Sequence, residues 1–498
     1  MLGDFGITWD EPVHFASGDL YLNRILDPGE VLYFSESDFQ GAMQYYGPFF
    51  DIWGALNYRI FFEGLGWLAG DNARHLHLLI AGFLTVVFTY LLVKKALSPR
   101  IAVFSALFLI AFPRFIGHSF NNPKDIPLAC IFVISVYFYY LRLTTGKKRF
   151  SMLLLVAGGI GFATRFQYVM LPVLIITFTI IYICIKNIKQ NSCLREFISF
   201  WDVFAAIILC LPLGILFWPY FWSDTLVKLQ RMAEFYIYHP EQAKLLIRYW
   251  GEDYIPGQNM PWHYAPVMLI ITTPLITLGA FLLGLLRIIS WNKRKGDDQE
   301  RRLFLLLPVL WIVIGITPFI IPGQRVYGGI RHFLFIVPAL CIIAAIGMEA
   351  LVKWTSKKIK SWSYMVVAGL FLLLFVSVYS YHPYYTVYYN KLVGGPQGAL
   401  ERFSLENWGN SYKKACKFIN NIAPPNATIL VMLIPDVPRF YLRPDIRVVG
   451  QEYAQKPGAM YDYSLYIIRD IDLLKKKDKE PIFSISVKGQ PICNVHQW

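Results

Sequence analysis

Ten apolar runs recur along the first 381 residues, at 75–93, 100–113, 126–143, 150–164, 166–186, 201–222, 265–290, 303–321, 330–352 and 363–381, with polar segments between most of them. A helix needs about 20 apolar residues to cross the roughly 30 Å hydrocarbon core of a bilayer. Inside that core every backbone polar group must be satisfied within the chain, which favours helices. The pattern therefore predicts an α-helical polytopic membrane protein of about ten transmembrane helices. The shorter runs are expected to carry amphipathic turns or to pack deep in the bundle. The runs 150–164 and 166–186 can also be read as one bent element. Only 16% of residues are charged, against about 25% in a soluble domain, which agrees with the membrane reading.

The chain carries a net charge of +14, yet its cations do not form a nucleic-acid footprint. They fall in short groups between apolar runs, such as KK at Lys94, KKR at Lys147, NKRK at Asn292 and SKKIK at Ser356. This is the pattern of cytoplasmic loops and argues against a nucleic-acid partner. Alternate short loops hold 20 Lys and Arg on one side and 5 on the other. The poorer side is expected to be extracytoplasmic, in a cell (inner) membrane. It would take the segments 1–74, 114–125, 223–264 and 322–331 and the tail 382–498. In that tail NSYKKACKFINNI reads as a helix, and TILVML, IRVV, YSLYII and IFSISV read as strands. Residues 382–498 are thus expected to form a small extracytoplasmic α/β domain behind a membrane domain spanning 1–381. The seven cysteines show no CxxC or Cys/His metal spacing. Cys416 and Cys493 are able to pair only if the tail is extracytoplasmic, which the sequence does not show.

Four polar groups share that expected face. They are Asp10, Glu11 and His14 in GITWDEPVH; Arg114, His118, Asn121, Asn122, Lys124 and Asp125 in FPRFIGHSFNNPKDIP; Arg165 in ATRFQY; and Arg325, Tyr327, Arg331 and His332 in GQRVYGGIRHF. Singly, each needs no function, because loops are polar. Arg165 reads equally well as an interfacial anchor, and the histidines share no metal-ligand spacing. Together they gather carboxylates and guanidiniums at the mouths of several helices. Arginine binds phosphate bidentately, and a nearby acid can move a proton. Pro113, Pro123 and Pro127 are expected to stop the flanking helices and keep the polar stretch extended.

The DE pair of the first loop, PRFIGHSFNNPKDIP, YGGIRHFLFIVPAL and the tail segment HPYYTVYYNKLVGGPQGALERFSLENWGNSYKKA together resemble the bacterial family-39-type glycosyltransferases. These are relatives of the dolichyl-phosphate-mannose–protein mannosyltransferases and have the GT-C fold. The resemblance runs over nearly the whole chain and implies a membrane glycosyltransferase. Such an enzyme moves a sugar from a polyprenyl-phosphate donor to an acceptor hydroxyl on the extracytoplasmic face. It implies catalytic roles for Asp10, Glu11 and Asp125. Arg331 matches a basic position near the lipid phosphate, and Arg114, His118, Asn122, Lys124, Arg165 and His332 are candidate partners for substrate or phosphate. No metal ligand set is expected, although Glu11 beside Asp10 leaves a divalent cation open as cofactor. A protein, lipid or glycan acceptor and membrane lipid are the implied partners. The family also carries a helix ahead of the DE loop, for which the residues before Thr8 leave no room. The rival reading is a polytopic transporter of an anionic lipid or sugar. It would favour internal repeats and charges near mid-membrane; the sequence has no evident repeat, and its charges cluster at helix ends.

Overall fold

The computed structural model describes residues 2–34, 39–187, 193–238, 246–291, 299–323, 325–359, 362–469 and 480–498. The basic cluster at Asn292 and the middle of the 223–264 segment lie outside these residues. Six described helices are long and apolar enough to cross a membrane: Gly70–Ala96, Asp125–Thr145, Phe166–Ile185, Gln299–Phe319, Arg331–Ile359 and Trp362–Tyr379. Two further spans are broken pairs. Pro99–Ile110 and Pro113–Asn121 meet at 67°, and Tyr264–Thr272 and Leu275–Ser290 meet at 115°. Arg149–Phe162 is apolar but shorter, about 21 Å at 1.5 Å per residue, and Trp201–Leu216 is the apolar part of the longer helix Cys193–Leu216. The expected ten crossings thus resolve into six full spans, two bent ones, one short apolar helix and one longer helix that is apolar over its second part. The runs 150–164 and 166–186 are separate helices joined through a 3-10 turn at Phe166–Val169.

The first break explains the polar stretch and corrects its expected shape. Ser98 caps the helix Pro99–Ile110 by accepting from the Ile101 N–H at 3.3 Å. That helix ends at Ala111, and Phe112 is extended. Pro113 then starts a new nine-residue helix, a first-turn position where its missing N–H costs nothing. Asn122, ahead of Pro123, is forced extended and ends it. The stretch is therefore mostly helix, and only Asn122–Lys124 is a turn. It is also buried: Arg114, His118, Asn121, Asn122, Lys124 and Asp125 are all shielded. Water does not explain their polarity.

Residues 223–264 hold the helix Thr225–Tyr238 and a two-stranded hairpin, β1 (Ile247–Tyr249) and β2 (Glu252–Tyr254). The tail folds as an α/β unit. Its strands are β3 (Thr428–Val431), β4 (Arg447–Gly450), β5 (Tyr463–Ile467), β6 (Phe483–Val487) and β7 (Gln490–Gln497), in the order β4-β3-β5-β7-β6. β3 runs parallel to β4 and β5, and β7 antiparallel to β5 and β6. The sequence reading anticipates the first four and misses β7, whose QPICNVHQ opens near a proline and lacks a clear alternation. The helix Tyr412–Ile422 packs on this sheet, with Phe418 stacked on Phe483 at 4.3 Å. Cys416 and Cys493 are buried free thiols that burial pushes up.

The tail is fastened to the start of the chain. The Trp9 N–H donates to the Trp408 carbonyl at 3.0 Å. Lys413 pairs with Asp71 at 2.7 Å and donates to the Phe5 carbonyl at 3.2 Å. At Gly6 a β-carbon would stand 2.4 Å from the Asn410 carbonyl oxygen, so only glycine admits this approach.

Glu406, in the same segment, is fully buried and accepts from the N–H groups of Trp408 at 2.7 Å and Gly409 at 3.1 Å. Burial pushes its carboxyl up to about 7, against the pull of those two donors. A raised folded pKa means that the folded chain holds the proton more tightly than the unfolded one. The resulting stabilisation is full below the ordinary carboxylate pKa and is lost as pH rises towards 7. Glu406→Gln keeps the acceptor and removes the buried charge. Its melting temperature is expected to exceed wild type by a few degrees at pH 8 and to match it near pH 4. Scanning calorimetry that finds the same shift at both pH values would refute this.

Candidate active site

Asp10 occupies the N-cap position of the helix Glu11–Leu26 but makes no capping hydrogen bond. Its Oδ1 accepts from Thr8 Oγ1 at 3.1 Å and its Oδ2 from Arg331 Nη1 at 3.1 Å. The Arg331 guanidinium lies over the rings of Tyr327 at 4.7 Å and Trp408 at 4.9 Å. Arg331, at the head of its span, is thus held by two aromatic rings and one carboxylate, and Trp408 comes from the tail.

A second buried pair lies close by. Arg165 Nη1 donates to Asp125 Oδ1, and Arg165 Nε to Gln167 Oε1 at 2.9 Å. Asn122 clasps this aspartate. Its Nδ2 donates to Asp125 Oδ2 at 2.8 Å, its Oδ1 accepts from the Asp125 N–H at 2.8 Å, and its Nδ2 also lies 3.2 Å from His118 Nδ1. The His118 ring stands edge-on to Trp408 at 5.1 Å. The spacing NNPKD thus serves a purpose: the turn at Pro123 brings Asn122 back onto the first residue of the next helix.

Tyr46 links the two pairs. Burial pushes its phenol up to about 12, with Tyr327 and Asp10 adding to the rise and Arg165 and Arg331 opposing it, so all four lie within electrostatic reach. Lys124 Nζ sits 3.3 Å from the centre of the Tyr46 ring. Burial holds its ammonium well below the usual lysine range, while Asp51, Asp10 and Asp125 act the other way. Gly47 makes this placement possible, because a β-carbon there would meet the Ala163 carbonyl carbon at 2.1 Å, two residues before Arg165.

Arg114 differs from the other arginines. Among the described residues its contacts are the Tyr388 carbonyl at 3.4 Å and the Tyr389 ring at 4.9 Å, with no carboxylate. It borders a small cavity shared with Arg248, Tyr264 and Gly329. Gly328 and Gly329 have φ of +69° and +74°, and a β-carbon on Gly329 would stand 2.4 Å from Arg114 Nη1. The paired glycines therefore admit this arginine as well as the turn.

Glu11 faces elsewhere. Its Oε1 lies 2.8 Å from His75 Nε2, with both side chains fully buried, and its Oε2 accepts from the Thr8 N–H at 2.6 Å and lies 2.9 Å from the Thr8 hydroxyl oxygen. Burial raises its carboxyl, with His75 and Thr8 opposing. Glu11 thereby fixes Thr8, which in turn holds Asp10. His332 stacks edge-on to Tyr327 at 4.6 Å, and its Nε2 has no hydrogen-bond partner among the described residues. Arg325 packs on the Gly257 turn. Among the described residues no group of three His, Cys, Asp or Glu is placed to hold a metal ion. The two Asp10 oxygens face an arginine and a threonine, which does not fit a divalent cation.

Sequence reasoning singled out Asp10, Asp125, Arg165, Arg331, Asn122, Lys124 and His118, and the structure gathers them. It adds Thr8, Tyr46, His75 and Trp408. Trp408 has a signal in hindsight, since ENWGN lies inside the tail segment that carries the resemblance.

Helices broken at the membrane face, a buried floor of acids and arginines and an appended α/β unit define a polytopic membrane protein with a GT-C-like fold. Residues 67–218 match the model of the dolichyl-phosphate-mannose-protein mannosyltransferase family; of the segments that carry the resemblance read from the sequence, this match includes PRFIGHSFNNPKDIP. The fold is also that of ArnT from Cupriavidus metallidurans. In the form bound to undecaprenyl phosphate the match has a TM-score of 0.53 at 13% identity, covering 99% of this chain and 95% of that one. The apo form gives 0.51 at 13%, covering 97% and 93%. The apo oligosaccharyltransferase of Archaeoglobus fulgidus matches with a TM-score of 0.50 at 10% identity, over 91% of this chain and 65% of that one. No curated protein matches by sequence.

Proposed function

We propose that this protein is a glycosyltransferase that takes a sugar from a polyprenyl-phosphate carrier and places it on an acceptor hydroxyl at the extracytoplasmic membrane face. One observation carries the reading. Asp10 turns from its helix to Arg331 and Thr8, on the same buried floor as Asp125–Arg165 and Lys124. The family match and the undecaprenyl phosphate held by ArnT support a lipid-phosphate donor.

Asp10 is the base. Its carboxylate accepts the proton of the acceptor hydroxyl as that oxygen bonds to the anomeric carbon. The bond from that carbon to the phosphate oxygen breaks, and polyprenyl phosphate departs with the electron pair. A phosphate monoester has a second pKa of about 6, so it leaves without a proton donor. A single displacement inverts the anomeric centre. Cations on the floor stabilise the departing charge. Arg114 is the strongest phosphate partner because no acid engages it; Arg331 orients Asp10 and adds to the field. Asp125 and Asn122 hold Arg165 in place. The site sits at span ends, with Asp125 and Arg331 the first residues of their spans; a transport path would favour mid-membrane charges.

Mass spectrometry of surface glycans in a deletion strain tests the reading. One sugar should be missing, and should return with wild type but not with Asp10→Asn. Unchanged glycans would refute it. Orientation is tested separately in a cysteine-depleted background. An impermeant thiol reagent added outside should label Met460→Cys, which is 80% exposed, and should miss Lys358→Cys, also exposed. The reverse pattern would put the site on the wrong side for a donor presented outside.

A further inference from the structure

We infer that His118 is a phosphate-binding residue, a neutral imidazole that donates its Nε2–H to an oxygen of the lipid donor's phosphate. This rests on the polyprenyl-phosphate reading and adds an uncharged contact to the charged ones of the floor. Asn122 fixes the state of the ring. Its Oδ1 accepts from the N–H groups of Lys124 at 3.2 Å and Asp125 at 2.8 Å, which sets the way its amide faces. Its Nδ2, a donor only, therefore points to Asp125 Oδ2 at 2.8 Å and His118 Nδ1 at 3.2 Å. With one hydrogen given to each, His118 Nδ1 is the acceptor. The ring is then neutral, and its own hydrogen stands on Nε2. That nitrogen is buried and has no hydrogen-bond partner among the described residues. A buried donor left open is costly, and an incoming oxygen relieves that cost.

The surroundings select an anionic oxygen. Arg114 stands four residues earlier on the same helix, and hence on the same face. Among the described residues no carboxylate engages it. Trp408 touches both neighbours, with its ring centre 5.1 Å from that of His118 and 4.9 Å from Arg331 Cζ. The Arg331 Nε is likewise buried without a hydrogen-bond partner among the described residues. At Gly117 a β-carbon would stand 3.0 Å from Tyr385 Cβ and 3.1 Å from Thr386 Cγ2. The helix therefore lies close against the tail, which carries His118 to Trp408. Hydrogen bonds to an ionised oxygen are about twice as strong as neutral ones, so two guanidiniums favour phosphate here over a sugar hydroxyl. A third cation would repel both arginines, whereas a neutral ring adds a donor without that repulsion.

The test uses the purified full chain and native mass spectrometry, with undecaprenyl phosphate as ligand and undecaprenol, which lacks the phosphate, as control. Wild type should retain the phosphate form at least about tenfold better. His118→Asn keeps an acceptor for Asn122 Nδ2 but has no donor at the Nε2 position. It should bind undecaprenyl phosphate about 10- to 100-fold more weakly. His118→Gln places an amide N–H near the lost Nε2 and should stay within about threefold of wild type. With the sugar-linked lipid, the asparagine variant should raise KM and leave kcat within about threefold. His118→Phe, which keeps the shape of the ring without its nitrogens, reports the same loss if the asparagine variant does not fold. Equal binding per folded molecule by wild type, His118→Asn and His118→Phe would overturn the inference and leave the lipid-phosphate reading standing. Variants that bind undecaprenyl phosphate normally but lose the sugar-linked lipid would assign the Nε2–H to the sugar and overturn the phosphate contact. Wild type that holds undecaprenol as well as undecaprenyl phosphate would overturn the lipid-phosphate reading itself.

Discussion

Asp10→Asn should lower turnover by about 10²- to 10⁴-fold, the usual cost of losing a general base, while expression and donor binding stay near wild type. Asparagine keeps the size; its one oxygen still accepts from Arg331 Nη1, and its amide N–H can donate to the Thr8 hydroxyl oxygen in place of the bond that Asp10 accepts there. What it loses is the oxygen that takes the proton. A capping role would instead cost roughly 1 kcal/mol of stability and leave turnover alone, but the carboxylate makes no such bond. Purified Asp10→Asn with more than about a third of wild-type turnover would remove Asp10 as the base and move that role to Asp125.

Arg331→Ala should be nearly inactive and poorly folded. Breaking one side of a buried pair typically costs about 3–5 kcal/mol, and here it also empties the slot between Tyr327 and Trp408. Arg331→Lys separates the two effects. It keeps a positive charge for Asp10 but loses the planar face that lies on both rings. A charge-assisted hydrogen bond is worth about 1.5–3 kcal/mol, so kcat/KM for the lipid donor should fall roughly 10- to 100-fold in folded protein. Adding Asp10→Asn to Arg331→Ala should recover folded yield, because the unpaired buried charge is gone. Wild-type kinetics in Arg331→Ala would rule the residue out of the site.

The membrane spans were legible because they depend on local composition. Residues 126–141 and 365–376 carry no charge and are almost wholly apolar, and a helix satisfies the backbone of such a run in lipid. The bends were not, because a proline marks a break without setting its angle. Thr273–Pro274 turns the chain by 115°, whereas Pro308 sits inside a continuous helix. The polar stretch after Phe112 looked like a solvated loop. Its burial depends on Tyr46, Trp408 and the Gly328–Gly329 turn, none of them near it in sequence. Motif reasoning found Asp10 and Arg331 separately; their pairing crosses 321 positions, and no local pattern records it. His75 was invisible for the same reason, being one of two histidines at the head of an apolar helix, and only the fold selects it for Glu11.

The central claim is that a lipid phosphate is the leaving group. The most direct measurement incubates purified protein with the polyprenyl-phosphate-linked sugars extracted from its own host membranes and follows free polyprenyl phosphate by mass spectrometry. Wild type should release it in step with the loss of one sugar-bearing species, in the presence of an acceptor extract, and Asp10→Asn should release little. No release from any sugar-bearing species, or equal release by Asp10→Asn, would contradict the account.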